Sequence, residues 1–342
     1  MDPLQLLARI YEGATRLRLA AYDTGMFSTH LPVPVISVGN LTTGGTGKTP
    51  FTISLARRLL AGGHRPVILS RGYNRTGRAP IAFVSNRSQV LLSPAEAGDE
   101  PYMMARRLPG VPVVVGPRRR LTGWIAMERF DPGCMILDDG FQHRAVARDL
   151  DIVLLDGGIP LDKARLLPAG PLREPLSSLL RAQLVIISHA TEHDIDPMAI
   201  TVARVAPHLA IAAGHHEPDV LVAVAGGATI PAATLKGRSI AAFCGIARPD
   251  AFRRTLVALG ARVTRLESFR DHHHYRPQEL SHICARASRE GAELVVTTEK
   301  DAVKIPNVPA APPLYYLSID FKLIKGTEYL DRALDDIGLG GA

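Results

Sequence analysis

The stretch Gly39-Asn40-Leu41-Thr42-Thr43-Gly44-Gly45-Thr46-Gly47-Lys48-Thr49 constrains this chain more than any other. It lies between an apolar run, Val33–Val38, and a segment of helical pattern from Pro50 to Leu60 that is closed by Gly62-Gly63. A glycine-rich turn between a strand and a helix is where a phosphate-binding loop forms. The glycines let successive backbone N–H groups point inward, and the helix N-terminus adds partial positive charge. Thr42, Thr43, Gly44, Gly45, Thr46 and Gly47 are the expected nucleotide-binding backbone. Lys48 is placed to reach the β- and γ-phosphates, and the Thr49 hydroxyl to ligate Mg²⁺. The strict pattern GxxxxGK[ST] asks for glycine where this chain has Thr42, so the loop is a variant with extra glycines at 44 and 45.

Short apolar runs recur downstream: Pro66–Ser70, Val111–Val115, Met135–Asp138, Asp151–Asp156 and Leu184–Ser188. Unbroken apolar runs alternating with helical patterns indicate parallel strands covered on both faces. Residues 161–181 hold three prolines and few periodic positions, and read as a long functional loop. A second βαβ-like unit begins near Ser239–Phe243. A helix follows over Pro249–Leu259, then a strand at Arg262–Leu266, a helix over Pro277–Glu290 and strands at Leu294–Thr297 and Leu314–Ile319. The expected fold is α/β: a P-loop NTPase-like, mostly parallel sheet with helices on both faces, plus a smaller C-terminal α/β domain. The boundary falls between Gly226 and Gly237, giving domains 1–226 and 227–342, with an active site in the cleft between them. With 342 residues, the chain is long enough for two such units.

The formal net charge is +7, and only seven of the 40 basic residues are lysines. Arginine suits forked contact with phosphate, so an anionic substrate or surface is compatible, as is a simple codon bias. Cys134, Cys244 and Cys284 form no CxxC pair, which argues against a zinc site or a disulfide framework and for a reducing compartment. No apolar run approaches the ~18 residues of a membrane span, and Arg9, Glu12, Arg16 and Arg18 interrupt the place where a signal peptide would be apolar. Residues 4–22 instead read as a helix. Leu6, Leu7, Ile10, Ala14, Leu17 and Ala21 recur at helical spacing among arginines. Such a helix either packs on the domain or rests on anionic lipid.

A second chemical signal is Cys134-Met135-Ile136-Leu137-Asp138-Asp139. An apolar strand ending in acids downstream of a P-loop supplies the partner that holds Mg²⁺ or its water. Asp138 and Asp139 are both candidates. Gln142, His143 and Arg144 follow, crowding polar groups onto the C-terminal edge of a parallel sheet, where α/β folds bind ligands. Arg118-Arg119-Arg120 precede an apolar helix and read as a solvated helix end or as a phosphate contact.

At this point the chain resembles one family, the tetraacyldisaccharide 4'-kinases (lipid A 4'-kinases) of Gram-negative bacteria. The resemblance is carried by Val38–Asn40 and Gly44–Pro50, Ser70–Tyr73, Gly98–Pro101, Asp138–Arg144 and Leu167–Glu174. Phe243–Ile246, Asp271–Tyr275 and Thr297–Asp301 continue it, in that order and spacing, over nearly the whole chain. The resemblance implies transfer of the ATP γ-phosphate to the 4'-hydroxyl of a tetraacylated glucosamine disaccharide 1-phosphate, a lipid-linked substrate. It also implies work as a peripheral protein at the cytoplasmic face of the bacterial inner membrane, against an anionic surface. ATP and Mg²⁺ are the implied cofactors.

It further implies that Asp99 and His272 form the catalytic pair. Read alone, Asp99 before Glu100-Pro101 is an ordinary helix cap. Three consecutive histidines, His272–His274, suggest a metal site only weakly, because adjacent side chains diverge. Asn40, Arg71, Glu100, Arg119, Gln142, His143 and Arg173 are the candidate substrate contacts. Thr298, Glu299 and Lys300 are expected to face the cleft from the second unit, and Lys300 and Lys304, two of only seven lysines, look placed rather than incidental. A regulatory P-loop GTPase or ATPase is the alternative, but the Asn-Lys-x-Asp guanine-reading stretch is missing. A nucleic-acid-binding role lacks a recognised module, with aromatic residues at 5%. No obligate protein partner is evident.

Overall fold

The computed structural model describes residues 3–191, 193–305 and 311–341. The chain opens with helix α1 (Pro3–Asp23). It continues through β1 (Val35–Asn40), α2 (Lys48–Ala61), β2 (Pro66–Ser70), β3 (Ala82–Ser85), α3 (Pro94–Ala97) and α4 (Asp99–Arg107). Next come β4 (Val113–Val115), α5 (Arg119–Phe130), β5 (Cys134–Asp138), β6 (Leu150–Asp156), β7 (Leu184–Ser188), α6 (Asp196–Val205) and β8 (Ala210–Ala223). By chain position, the expected second unit covers β9 (Thr229–Pro231), β10 (Ser239–Cys244), α7 (Pro249–Ala258), β11 (Arg262–Ser268), α8 (Pro277–Arg289), β12 (Leu294–Thr298), α9 (Glu299–Ala302) and β13 (Leu314–Lys325). Helix α10 (Thr327–Asp335) follows.

The apolar runs become strands because both of their faces are covered. In β5, Cys134 and Ile136 enter one core with Ile36, Phe51 and Leu55, while Met135 and Leu137 enter another with Val35, Val67 and Leu69. The strands join in a single sheet of order β11-β10-β12-β13-β8-β7-β6-β1-β5-β2-β4-β3, with β9 beside β8. Pairing is parallel except where β13 meets β8, β3 meets β4 and β9 meets β8. This is the mostly parallel α/β sheet expected from the apolar runs.

The middle of the sheet differs from expectation in two ways. β8 begins as a parallel neighbour of β7 and then runs antiparallel to β13 along most of its length, so the sheet continues from one unit into the other. Gly214, Pro218 and the charged residues around them break both alternation and apolar runs in β8, which hides it in the sequence. β13 also runs on to Lys325, because pairing with β8 extends it. It then delivers α10 to the P-loop half, where Leu330 and Leu334 pack into the same core as Ile36 and Phe51. The segment beyond β13 therefore sits with the first unit's core, although it falls in the second by chain position.

At Gly39 the end of β1 passes against the turn after β5. A Cβ there would lie 2.5 Å from the Phe141 Cβ and 2.7 Å from its backbone nitrogen. Phe141 is fully buried and part of a core, so it has little room to yield. Gly39→Ala should therefore cost about 1–3 kcal/mol of stability, as overpacked cores do. Urea unfolding checks this, and an unchanged midpoint would show that the turn gives way.

Candidate active site

The C-terminal ends of β1, β2 and β5 and the facing edge of the second unit enclose a cleft of about 1150 Å³. Residues Gly44 to Thr49 line it. Gly47 caps α2 in the left-handed region (φ 82°), which glycine adopts without cost. Thr42 and Thr43 do not line it. Thr42 is buried and bridges to Leu172, and the Thr43 N–H donates to the Pro171 carbonyl (2.8 Å), so the loop's approach is anchored to the 161–181 segment. Asn40, a candidate substrate contact, braces the loop. It is fully buried, and its Nδ2 donates to the Thr42 carbonyl (2.7 Å) and to Thr46 Oγ1 (3.1 Å).

Below the loop sit the two acids. Asp138, at the end of β5, accepts from Ser70 Oγ at 2.9 Å. Burial, with help from Glu100 and Asp139, pushes its carboxyl up to about 7 against the pull of Ser70 and Lys48. Asp139 has φ 50°, a left-handed conformation that turns its carboxylate towards cations. Lys48 Nζ lies 3.5 Å away, and Arg173 Nη1 donates to both carboxylate oxygens (3.0 and 3.1 Å). Burial alone would raise Asp139, but Lys48 and Arg173 outweigh it and hold the carboxyl below its ordinary range.

Arg119 is 3% exposed, donating to the carbonyls of Gly116 (2.6 Å) and Asp138 (3.2 Å); burial brings it down to about 10. It braces the acids from behind. The backbone N–H of Arg119 donates to His143 Nε2 (3.3 Å), and burial, with Arg119 and Arg148 nearby, pushes His143 down to about 4. His143 is thus a neutral acceptor at the cleft wall. Gln142 Nε2 donates to the Asn40 carbonyl at 2.8 Å, and Arg71 and Glu100 line the same wall.

Asp99 and His272 meet across the cleft, with Asp99 Oδ2 2.9 Å from His272 Nδ1. Gly98, at φ 91°, takes the cap position of α4, and Asp99 is the first helical residue. The helix N-terminus favours its negative charge, while its carboxylate is spent on the histidine rather than on a cap. His272 is itself left-handed (φ 62°), a strained position for a non-glycine residue of the kind found at functional sites.

Lys300 Nζ stands 3.3 Å from His272 Nε2. An ammonium only donates, so Nε2 is the acceptor, and the proton of a neutral imidazole lies on Nδ1, directed at Asp99. Lys304, almost fully buried, lies 3.7 Å from the same Asp99 oxygen and 3.0 Å from Asp301. Asp301 is fully buried and also accepts from Thr298 Oγ1 (2.6 Å) and from the Gly245 N–H (2.9 Å). The other two histidines diverge: His273 stacks on Phe269, with its Nε2 3.4 Å from Glu279. Among the described residues, no group of three His, Cys, Asp or Glu side chains forms a metal cage.

The two units are clasped beside this pair by Arg107, at the end of α4. It donates to Glu299 Oε2 (2.9 Å) and Ser318 Oγ (2.8 Å) and also pairs with Asp320. Neither Arg107 nor Asp320 stood out in the sequence, because each is an ordinary surface-type residue until β13 is placed.

A P-loop, a pair of acids at the neighbouring strand end and an aspartate–histidine pair facing them define a P-loop kinase of the α/β class. The chain belongs to the tetraacyldisaccharide-1-P 4'-kinase family, whose model matches residues 2–338. Curated relatives of that name include those of Anaeromyxobacter dehalogenans strain 2CP-C (43% identical, 97% of this chain and 89% of the relative) and Geobacter metallireducens (41%, 98% and 97%). The fold is similar to the crystal structure of an "apo" form of LpxK from Aquifex aeolicus in complex with ATP. The TM-score is 0.80 at 36% identity, covering 97% of this chain and 98% of that one.

The pairing of Asp99 with His272 sets an expected outcome for a double-mutant cycle. Asp99→Asn and His272→Ala should each lower kcat by about 10²–10⁴-fold, with KM for ATP within about threefold, and together should cost little more than the worse single variant. Losses that multiply would show two independent groups.

Proposed function

We propose that this chain transfers the γ-phosphate of ATP to the 4'-hydroxyl of tetraacyldisaccharide 1-phosphate, the lipid A precursor. The observation that carries the reading is the placing of a hydrogen-bonded Asp99–His272 pair in the same cleft as Gly44–Thr49 and Asp138–Asp139. Asp99 is the proposed base. Its Oδ2 is held by His272 and Lys304, which leaves the carboxylate's other oxygen to orient and then accept the proton of the sugar hydroxyl. Lys48, 3.5 Å from Asp139, is proposed to reach the β- and γ-phosphates. Arg71, Glu100, Gln142, His143 and Arg173 are proposed to surround the disaccharide head, and Arg119 to hold the acids in place.

The residues fit Mg²⁺. Asp138 is a buried carboxyl, destabilised as an anion by Glu100 and Asp139, and a divalent cation relieves that destabilisation. Thr49 with Asp138 and Asp139 would hold the ion, and phosphate oxygens and water would complete its shell. Bound there, it supplies charge stabilisation for the transferring phosphoryl group. The units 1–226 and 227–342 are proposed to close over the substrates and exclude water, with His272 and Lys300 already in place beside Asp99.

Among the described residues, no helix is long and apolar enough to cross a membrane. α1 nevertheless leaves Leu6, Leu7, Ile10 and Leu17 51–75% exposed, facing away from the cores. It is fastened by its polar side: Tyr11 donates to the Arg173 carbonyl (2.7 Å) and Arg18 to buried Glu174 (2.7 Å). We propose that the free apolar side rests in an anionic bilayer at the cytoplasmic face of the inner membrane, where the acylated acceptor lies.

Two measurements test this reading. Lys48→Ala should fold normally and lose most transfer of labelled γ-phosphate to the disaccharide lipid; normal turnover would remove the P-loop assignment. Replacing Leu7, Ile10 and Leu17 by polar residues should weaken binding to anionic liposomes and raise the apparent KM for the lipid, while KM for ATP stays the same. Unchanged liposome binding in the folded triple variant would show that α1 is only structural.

A further inference from the structure

On the other side of β1 from the acids, the ends of β6, β7 and β8 bring a second set of titratable side chains to the P-loop. His216 in β8 turns its Nε2 to Gly47, so closely that a Cβ on Gly47 would lie 2.3 Å from that nitrogen. Its Nδ1 is 3.2 Å from His189 Nε2. His189 Nδ1 in turn faces Ser188 Oγ (3.2 Å) and Asp156 Oδ1 (3.4 Å). Asp156 pairs with Arg248, which precedes α7 in the second unit. The ring of Phe321 from β13 packs edge-on against His216, with centroids 5.6 Å apart.

The direction of this chain follows from proton counting. The single hydroxyl proton of Ser188 goes to the Leu155 carbonyl (3.2 Å), so towards His189 the oxygen can only accept. His189 therefore carries a proton on Nδ1. Burial would raise the Asp156 carboxyl, but His189, the Gly158 N–H and Arg248 outweigh it and hold the group below its ordinary range, an anion that fixes the same proton. In the neutral pair, His189 Nε2 is bare and accepts Nδ1–H from His216. Burial and the neighbouring His189 push His216 down to about 3, so at neutral pH its Nε2 is unprotonated. A buried imidazole held in one tautomer by a carboxylate is a stiff support.

We propose that His216 is a positioning residue for ATP: held by His189 and Asp156, it seats Gly47 and with it the left-handed cap from which α2 and its phosphate-facing N–H groups start, and Arg248 ties this support to the second unit. The inference rests on the reading of Gly44–Thr49 as the ATP site. The phosphate-binding geometry of the loop then depends on the docking of α7, through His189, His216 and Arg248 on the wall of the same cleft.

Calorimetric binding of ATP, with kcat and KM for ATP, tests the proposal on the full chain. His216→Ala should raise the Kd and KM for ATP about tenfold and change kcat by less than about threefold, a split that general destabilisation does not produce. His216→Asn, which keeps a nitrogen for His189 but withdraws from Gly47, should resemble His216→Ala. Gly47→Ala should bind ATP about 100-fold more weakly than wild type, and adding His216→Ala should restore at least about fivefold of that loss, because the clash is removed. Arg248→Ala should raise KM for ATP about threefold and add nothing in the His216→Ala background.

An unchanged KM for ATP in folded His216→Ala overturns the proposal, as does a double variant that binds no better than Gly47→Ala. If His216→Ala does not fold, Arg248→Ala decides: its side chain is 41% exposed, and an unchanged KM for ATP at an unchanged melting temperature overturns the proposal. Wild-type binding of ATP is the control that separates the two levels. Its absence defeats the ATP-site reading itself, and this inference with it.

Discussion

The hydrogen bond between His272 and Asp99 joins a strained turn of the second unit to the first turn of a helix in the P-loop half, and the surrounding structure is arranged to hold its two ends. Gly98 lets α4 begin where the carboxylate can reach across the cleft. Asp301 anchors Lys304 beneath the same oxygen, and Arg107 fixes the far end of α4 to α9 and β13. Because Lys300 can only donate to Nε2, the histidine has one orientation of its proton, and the carboxylate keeps one oxygen free. The base proposed to take a hydroxyl proton in phosphoryl transfer needs that arrangement: oriented, and open on one side.

The second constraint is charge. The P-loop lysine, two acids, Arg173 and Arg119 occupy one buried region whose balance changes when ligands arrive. Asp139 is matched by Lys48 and Arg173, whereas for Asp138 burial outweighs the Ser70 hydroxyl and the more distant pull of Lys48 and leaves its pKa raised. Phosphate would draw Lys48 away, and a divalent cation would supply what both acids then lack. Arg173 is next in the chain to Glu174, which is buried between Arg18 and Arg181. The acids are therefore linked by a short path to α1, the helix proposed to meet the lipid surface.

Much of this was legible in the sequence where a motif is local. Gly47-Lys48-Thr49 and Asp138-Asp139 carry their own context of strand and helix, so the apolar runs before them placed both at one sheet edge. Asp99 was readable only through the family resemblance, since an acid before Glu-Pro looks like a cap until the partner histidine is brought 173 positions back to it. Asn40 and Thr42 sit in the motif, but nothing local in the sequence announces that their side chains are buried. β8 was hidden because Gly214 and Pro218 break its pattern and its stability comes from pairing with β13. His189, His216 and Asp156 had no motif at all, and only the sheet order brings them to the P-loop.

The Asp99–His272 bond is the claim on which the assembly of the site stands, and ¹⁵N NMR of the histidine side chains in the full chain measures it directly. The expected result is a His272 proton on Nδ1, whose resonance Asp99→Asn shifts while leaving the other histidines unmoved. A His272 ring protonated at Nε2, or one whose resonances do not respond to Asp99→Asn, would contradict it.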